Sequence, residues 1–230
     1  MWNVSMNEHS TFILNQTKKT PGVAMGNFIK PVKNMTELLM WENKVKEIAP
    51  LPVYAFFVIA LDTGVNPQFL MNLKWEDLKK EEIGTVIQKT EPYFEIYQEL
   101  AGETRKIFFC DRSLAVLNQL RETYPNDVYI FQSHSQNVRK KIQPLNRLSI
   151  GRIFKAAAIK AKISDPENVS AVTLRKTFGY HHLVNGSWSI HQLTRYFDHK
   201  YTGLTRKYID LTDEKINTKQ LPRKPRTPKA

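Results

Sequence analysis

Three residues near the C-terminal end of the chain have types that could do chemistry on a phosphate group. Arg175 offers a planar, permanently charged fork that matches a phosphate, and His199 can exchange protons near neutral pH. Tyr208, nine positions after His199, carries a hydroxyl that can act as a nucleophile. The region 172–208 is therefore the candidate site around which the rest of the chain is interpreted.

The first element that would position these residues is a helix with Arg175 near its start. It is predicted to follow the capping-type Thr173. One face of this helix carries residues at helical spacing, which are Leu174, Phe178, His181 and His182. The Gly186-Ser187 pair interrupts the pattern and ends the helix.

Two further short helices are predicted to carry the histidine and the tyrosine. Ser189 can cap the first of them, which ends at 198–200, and the second is predicted at 204–209. His199 and Tyr208 would then lie on consecutive elements, which is an arrangement that can bring both side chains to Arg175.

At these residues the chain resembles the tyrosine recombinases, the phage integrase family. That family carries an arginine in an HxxRHTFA-type segment, then an LGH segment, then a nucleophilic tyrosine nine residues after its histidine. The matching segments here are 175–178 (RKTF), 197–199 (FDH) and Tyr208. The resemblance implies that Arg175, His199 and Tyr208 are the catalytic residues.

Three other positions differ from the family pattern. The segment 63–78 is similar to the family's TGLRISELLxLKWxDI, but Asn66 stands in place of the first catalytic arginine. Val172 replaces the family's first histidine, and Leu100 aligns with a lysine that acts as general acid at a hairpin tip. Asn66 is neutral and cannot offer a bidentate fork to a phosphate. We therefore expect a degenerate active site.

The missing lysine leaves an alternative open. Lys106 or Lys89 could take the role of general acid in place of Leu100. Losing a single preorganised donor at such a site costs about 3 to 4 kcal/mol, or roughly a hundred- to a thousandfold in rate. Since three positions are altered, the resemblance leaves it undecided whether the chain is an enzyme.

The favoured interpretation is a DNA-binding protein on a tyrosine-recombinase scaffold that has lost catalysis. It would act as a repressor, regulator or accessory factor of a phage or another mobile element. The first alternative is an active integrase that cleaves and rejoins DNA through a 3'-phosphotyrosyl intermediate at Tyr208. A topoisomerase-like nickase that uses the same tyrosine is the second alternative.

Composition supports a nucleic-acid partner. The chain has 34 Lys and Arg against 22 Asp and Glu, a net charge of +12 and a pI near 9.7. Such a balance favours a polyanion, and double-stranded DNA is the expected one. The predicted DNA-contacting cations are Arg139, Lys140, Lys141, Arg175, Lys176, Arg206, Lys207, Arg223, Lys224 and Arg226. The cluster at 139–141 could equally be a solvated face.

We expect neither a metal nor a cofactor. His181 and His182 are interpreted as packing or surface residues, because no carboxylate or cysteine cluster accompanies them. No apolar run approaches the roughly 18 residues of a membrane span, and the N-terminus lacks the pattern of a signal peptide. Cys110 is the only cysteine, which suits a reducing compartment. These features predict a cytoplasmic protein without a membrane partner.

The expected fold class is α+β, mainly α-helical, with a small three-stranded antiparallel sheet, as in a tyrosine-recombinase catalytic domain. The strands are predicted at 85–89, 93–97 and 105–109, and Thr36 and Ser149 are predicted to cap two further helices.

We predict three segments along the chain. Residues 1–33 are predicted to be an arm or linker, 34–213 the catalytic-domain-like unit, and 214–230 a basic, proline-rich tail. The tail would follow a phosphate backbone or reach another protomer, as a homo-oligomer on DNA. The family usually has a helical core-binding domain upstream, and either a truncated chain or a short arm in its place would fit residues 1–33.

Overall fold

The computed structural model describes residues 29–83, 89–135 and 142–211. The α-helices are α1 Met35–Ile48, α2 Leu51–Thr63, α3 Pro67–Met71, α4 Asp111–Thr123, α5 Arg147–Ala161, α6 Ala171–Val184, α7 Ile190–Tyr196 and α8 Thr202–Tyr208. The strands are β1 Lys79–Ile83, β2 Lys89–Gln98 and β3 Glu103–Phe108, and short 3-10 helices cover Trp75–Asp77 and Pro166–Asn168. The predicted fold class is confirmed.

Helix α2 is the centre of the core. Every residue from Pro52 to Leu61 except Tyr54 is buried, so this helix is apolar on all sides rather than on one stripe. Aromatic side chains surround it, and the Trp41 ring lies edge-on to Phe57 at 4.9 Å between centroids. The Trp41 indole N–H also donates to the Phe154 carbonyl oxygen at 3.0 Å, which ties α1 to α5.

The sheet is antiparallel in the order β1, β2, β3. The strand predicted at 85–89 lies outside the described residues except for Lys89, which begins β2. The first described strand is β1, which the sequence did not predict. Strand β1 reads KKEEI, which has little intrinsic strand preference. Cross-strand ion pairs hold it, including Lys79 Nζ to Glu95 Oε2 at 2.6 Å.

Three predicted helix caps lie two or three residues too late. Asn34 caps α1, Asn146 caps α5 and Ser170 caps α6, instead of Thr36, Ser149 and Thr173. In each case the earlier residue is also a good cap, and it accepts a hydrogen bond from a backbone N–H of the first turn. Thr173 instead completes the cap of α6, because its hydroxyl accepts a hydrogen bond from the Ser170 N–H at 2.9 Å. The predicted Ser189 cap of α7 is confirmed.

A second apolar cluster joins α6, α7 and α8. Its buried members are Phe178, Leu193, Phe197, Ile209 and Leu211. The segment before α1 packs against the same helices, because the Val32 N–H donates to Thr177 Oγ1 at 2.9 Å and Lys33 Nζ pairs with Asp210 Oδ2 at 2.7 Å. In the part of the chain that the structure describes, no helix is both long and apolar enough to span a bilayer.

Candidate functional site

Arg175 is held by the backbone of two other elements. Its Nη1 donates to the Gly64 carbonyl oxygen at 2.7 Å, and its Nη2 donates to the Phe197 carbonyl oxygen at 3.1 Å. The guanidinium carbon lies 4.2 Å from the centre of the Phe197 ring. Burial lowers the pKa of Arg175, yet a guanidinium remains charged at any physiological pH. The structure therefore places one fixed cation at the centre of the predicted site.

Gly64 makes this arrangement possible. It ends α2 with a φ of +60°, and a Cβ at this position would overlap the Phe178 ring. Only glycine meets both requirements, so the carbonyl that receives Arg175 depends on it.

Tyr208, the last residue of α8, lies beside Arg175 and is partly buried. Its phenol lies close enough to the Arg175 guanidinium for the two groups to interact electrostatically. Burial raises the pKa of Tyr208, and the charge of Arg175 opposes this shift only in part. The phenol therefore stays protonated at neutral pH.

His199 completes the group that the sequence predicted. Its ring centre lies 5.0 Å from that of Tyr208, and its Nδ1 is 3.0 Å from Thr205 Oγ1. Burial, assisted by the positive charge of Arg175, lowers the pKa of His199 to about 4. The imidazole is therefore neutral at pH 7 and does not add a second positive charge. The three residues Arg175, His199 and Tyr208 are thus brought together.

The three altered positions contribute no cation to this group. Asn66 is exposed and caps α3, because its side-chain oxygen accepts a hydrogen bond from the Gln68 N–H at 2.9 Å. Val172 lies in the first turn of α6. Leu100 is 55% exposed at the tip of the β2–β3 hairpin.

Neither lysine that the sequence offered as an alternative general acid is seen at the site. Lys106 pairs with Glu81 at 2.7 Å and lies 5.0 Å from the Tyr93 ring centre, on the sheet face opposite to Arg105. The side chain of Lys89 is outside the described residues. Two other described lysines lie nearer the site: Lys200 lines a pocket together with Leu100 and His199, and Lys176 Nζ lies 4.8 Å from the centre of the Tyr208 ring.

Asp198 was not identified as a site residue from the sequence. It adopts a φ of +55°, a conformation that glycine accepts freely and that aspartate tolerates better than most residues. Both of its carboxylate oxygens lie 3.2 Å from the Leu100 backbone nitrogen, which donates to them and ties the hairpin tip to the end of α7. Burial lowers the pKa of Arg175, the negative charge of Asp198 opposes this shift in part, and both residues line one pocket.

Further contacts reinforce this docking of the hairpin. Gln98 Nε2 donates to the Arg195 carbonyl oxygen at 2.7 Å, and Arg195 Nη2 pairs with the Glu103 carboxylate at 2.9 Å. Together with the Asp198 contact, these bonds join both strands of the hairpin to α7. The hairpin tip is therefore held at several points next to the predicted site.

A pocket of 330 Å³ lies between the hairpin, α3 and α7. Its polar lining consists of Asn66, Gln98, Glu99, Arg105, Arg175 and Asp198, and apolar side chains complete it. A second pocket, of 710 Å³, lies on the other side of Asp198 and includes Leu100, His191, His199 and Tyr201. Asp198 lines both pockets, so its carboxylate stands between the Arg175 region and the His199 region.

The other predicted DNA-contacting cations fall into three groups. Lys207 is exposed on α8, and Arg206 is partly exposed beside it. Lys176 is only 4% exposed and donates to the Ile29 carbonyl oxygen at 2.7 Å, which is not the position of a surface cation. The cluster 139–141 and the tail residues Arg223, Lys224 and Arg226 lie outside the described residues.

The two histidines of α6 make contacts of the kind that the sequence suggested. His181 Nε2 is 3.0 Å from the Val32 carbonyl oxygen, and the His182 ring lies 4.2 Å from Phe178 and 5.1 Å from Trp188. Within residues 29–83, 89–135 and 142–211, no group of three or more His, Cys, Asp or Glu side chains could hold a metal ion.

Comparisons with known proteins give one family match and one curated relative. The family model described as "Phage integrase family" matches residues 32–215. A curated relative, "Probable integrase/recombinase YoeC" of Bacillus subtilis (strain 168), is 24% identical over 162 residues, which cover 70% of this chain and 78% of the relative.

Solved structures share the fold at low sequence identity. The crystal structure of XerA recombinase superposes with a TM-score of 0.60 at 17% identity, over 87% of this chain and 67% of that one. XerH recombinase bound to difH substrate gives a TM-score of 0.60 at 15% identity, over 86% and 55% of the two chains. A lambda integrase dimer bound to a COC' core site gives 0.57 at 18% identity, over 83% and 51%. This chain therefore spans about half to two thirds of the solved chains that it matches.

Proposed function

The chain belongs to the phage integrase family, and from this premise we propose that it binds double-stranded DNA without cutting it. It acts as a repressor, regulator or accessory factor of a phage or another mobile element. The observation that carries the proposal is the contact between Asp198 and the hairpin tip, where a carboxylate lies near Arg175 and Leu100 takes the place of a lysine.

Strand cleavage would create extra negative charge that this site is poorly suited to neutralise. Attack by the Tyr208 oxygen on a phosphodiester passes through a five-coordinate phosphorus whose oxygens need several preorganised donors. Arg175 is one such donor, but Asp198 adds a negative charge near it. The free energy of the transition state rises accordingly. The rate losses caused by separate changes at a cooperative site are not additive.

Proton transfer is also poorly supported. The Tyr208 hydroxyl must lose its proton during attack, but burial raises its pKa. His199, with a pKa of about 4, is a weak base, and the leaving oxygen finds no lysine at Leu100. His199 and Leu100 therefore supply neither an efficient base nor a matched general acid.

The binding half of the proposal depends on charge. A net charge of +12 attracts the phosphate backbone, Arg175 lines the 330 Å³ pocket, and Lys207 is exposed on α8. The XerH structure is described as bound to difH substrate, and the lambda integrase structure as bound to a COC' core site. We assign Lys176 a structural role, because its ammonium is directed to the Ile29 carbonyl oxygen.

The basic segments outside the site extend the binding of DNA. Residues 34–213 form the catalytic-domain-like unit, and the basic segments 139–141 and 223–226 extend the DNA contacts. The tail, 214–230, brings a second copy onto the same DNA. A protein that regulates phage or mobile-element DNA acts where that DNA lies, which we take to be the cytoplasm.

One observation favours a second candidate function, an active integrase. The Tyr208 phenol interacts electrostatically with Arg175 and lies 5.0 Å, between ring centres, from His199, which is an arrangement that a tyrosine nucleophile would need, and YoeC is described as a probable integrase/recombinase. The two functions differ in one product, because only cleavage leaves the protein covalently attached to DNA.

Selection of bound fragments from a random DNA pool tests the proposed function. We expect enrichment of a palindromic or repeated site, which a dimeric regulator would recognise. Inverted arms around a short spacer would favour the integrase function, and a failure to retain any DNA at low salt would contradict both.

A further inference from the structure

Arg105 is a second cation of the 330 Å³ pocket, and no role has yet been assigned to it. It lies on β3 opposite Ile96, on the sheet face that also carries the buried Ile107. Arg105 and Arg175 approach the pocket from different elements, the hairpin and α6. The pocket is therefore flanked by two guanidinium groups.

The Arg105 side chain is held in a way that leaves its donors available. Its guanidinium carbon lies 4.9 Å from the centre of the Tyr196 ring, and the Tyr196 hydroxyl donates to the Thr63 carbonyl oxygen, which fixes the ring. A guanidinium stacked on a ring uses its face, while the N–H groups at its edge remain able to bind a phosphate.

Among the described residues, Arg105 forms no ion pair with a carboxylate. Arg175 and Arg105 both lower the pKa of Tyr196, whose burial nevertheless raises it to about 12, so both charges act on the same hydroxyl. Two like charges directed at one small region repel each other unless an anion lies between them. This charge arrangement favours an anionic ligand.

Two carboxylates also line the pocket and must be weighed against the arginines. Glu99 is exposed, so water screens its charge. Asp198 is engaged by the Leu100 N–H and lies at the boundary with the second pocket. They weaken the attraction for an anion, but neither forms an ion pair with Arg105 or Arg175 among the described residues.

We propose that Arg105 is a phosphate-binding residue, which holds a backbone phosphate of DNA together with Arg175 and supplies the second cation that Asn66 lacks. This inference rests on the proposed DNA binding. It adds affinity for DNA without supplying the proton transfer that cleavage needs.

The adjacent residue, Lys106, is a matched control for the test. It carries the same charge one position further along β3, but it lies on the opposite face of the sheet, paired with Glu81. Binding of a mixed-sequence DNA duplex should be measured for the unmodified protein and for Arg105→Ala, Arg105→Lys and Lys106→Ala across a range of salt concentrations.

We expect Arg105→Ala to weaken binding by about tenfold or more and to reduce the salt dependence by about one phosphate contact. Arg105→Lys should recover part of the affinity, because a point charge replaces a fork. Lys106→Ala should change affinity by less than about threefold. If Arg105→Ala alters the circular dichroism spectrum, Arg105→Gln, which keeps the stem over the Tyr196 ring, replaces it in the comparison.

The outcomes separate this inference from the proposed function. If the unmodified protein binds the duplex, and Arg105→Ala and Lys106→Ala lose equal affinity for it, the role of Arg105 is overturned. The proposed function still stands in that case. An unmodified protein that does not bind the duplex would overturn both.

Discussion

The two sides of the Arg175 pocket differ in how their side chains are held. On the α6 side, Arg175 bonds to the carbonyls of Gly64 and Phe197, and its guanidinium carbon lies 4.2 Å from the centre of the Phe197 ring. On the hairpin side, Leu100 is 55% exposed, and polar contacts such as that with Asp198 attach the tip. A side chain that also supports the core is constrained by packing, whereas an exposed tip can carry another residue at small cost to stability. Arg175, which matches the family pattern, lies on the packed side, and Leu100, which departs from that pattern, lies on the exposed side.

The largest expected effect on stability is that of Arg175→Ala. This change leaves the Gly64 and Phe197 carbonyl oxygens without a donor and empties a partly buried space, so it should destabilise the fold by about 2 to 4 kcal/mol. Arg105→Ala, on the other side of the same pocket, should cost less than about 1 kcal/mol. Urea denaturation of both variants measures the difference, and equal losses would contradict the contrast between the two sides.

The two glycines with similar φ angles sharpen the same contrast. Gly64 has a φ of +60° and Gly102, at the hairpin tip, has a φ of +65°. Gly64→Ala adds a clash with Phe178 to the backbone strain, and we expect a loss of about 2 to 4 kcal/mol. Gly102→Ala meets nothing within 4 Å and should lose only about 1 kcal/mol. Thermal unfolding would refute this explanation if both variants lost the same stability.

His199 should make stability depend on pH. Its folded pKa of about 4 lies below the ordinary value of 6.5, so the folded state binds fewer protons than the unfolded state between these values. The contribution of His199 to the free energy of unfolding is complete above pH 6.5 and is lost as pH falls toward 4. With allowance for its partial exposure, we expect a loss on the order of 1 to 2 kcal/mol.

The matched variant for this effect is His199→Gln, which removes the titrating group. Denaturation of the two proteins at several pH values isolates the histidine from the carboxylates that titrate in the same range. Parallel curves for the variant and the unmodified protein would show that His199 is not held neutral.

The smallest of these effects concerns Asp198 and DNA affinity. Asp198→Asn removes the negative charge beside Arg175 while keeping an oxygen that can accept from the Leu100 N–H. Affinity for a DNA duplex should rise by about fivefold, or about 1 kcal/mol. An unchanged or lower affinity would show that the carboxylate does not oppose phosphate binding.

Local patterns were enough to predict much of the fold and part of the site. The order and spacing of Arg175, His199 and Tyr208 predicted the group that the structure brings together, because the capped helices α6 and α7 and the short helix α8 follow one another there. Strand β1 was not predicted because it is a charged edge strand held by pairing with its neighbours. Its sequence therefore carries little local signal.

Asp198 and Arg105 escaped prediction for a related reason. Their importance depends on the docking of the hairpin against α7, a contact between residues far apart in the chain. Arg105 lies two positions before the buried, apolar Ile107. This spacing was the available signal that the arginine lies on the inward face of the strand. Aspartate in place of a family glycine was the corresponding signal at Asp198.

The central claim, binding without cleavage, is tested most directly by trapping a covalent intermediate. The unmodified protein and Tyr208→Phe, which keeps the ring and removes the nucleophilic oxygen, should be incubated with nicked duplexes of the selected site, from which a cleaved strand cannot be rejoined. Denaturing electrophoresis then detects any protein attached to DNA. We expect no adduct from either protein and nearly equal DNA affinities. An adduct formed by the unmodified protein and absent from Tyr208→Phe would contradict the account and establish the chain as an active recombinase.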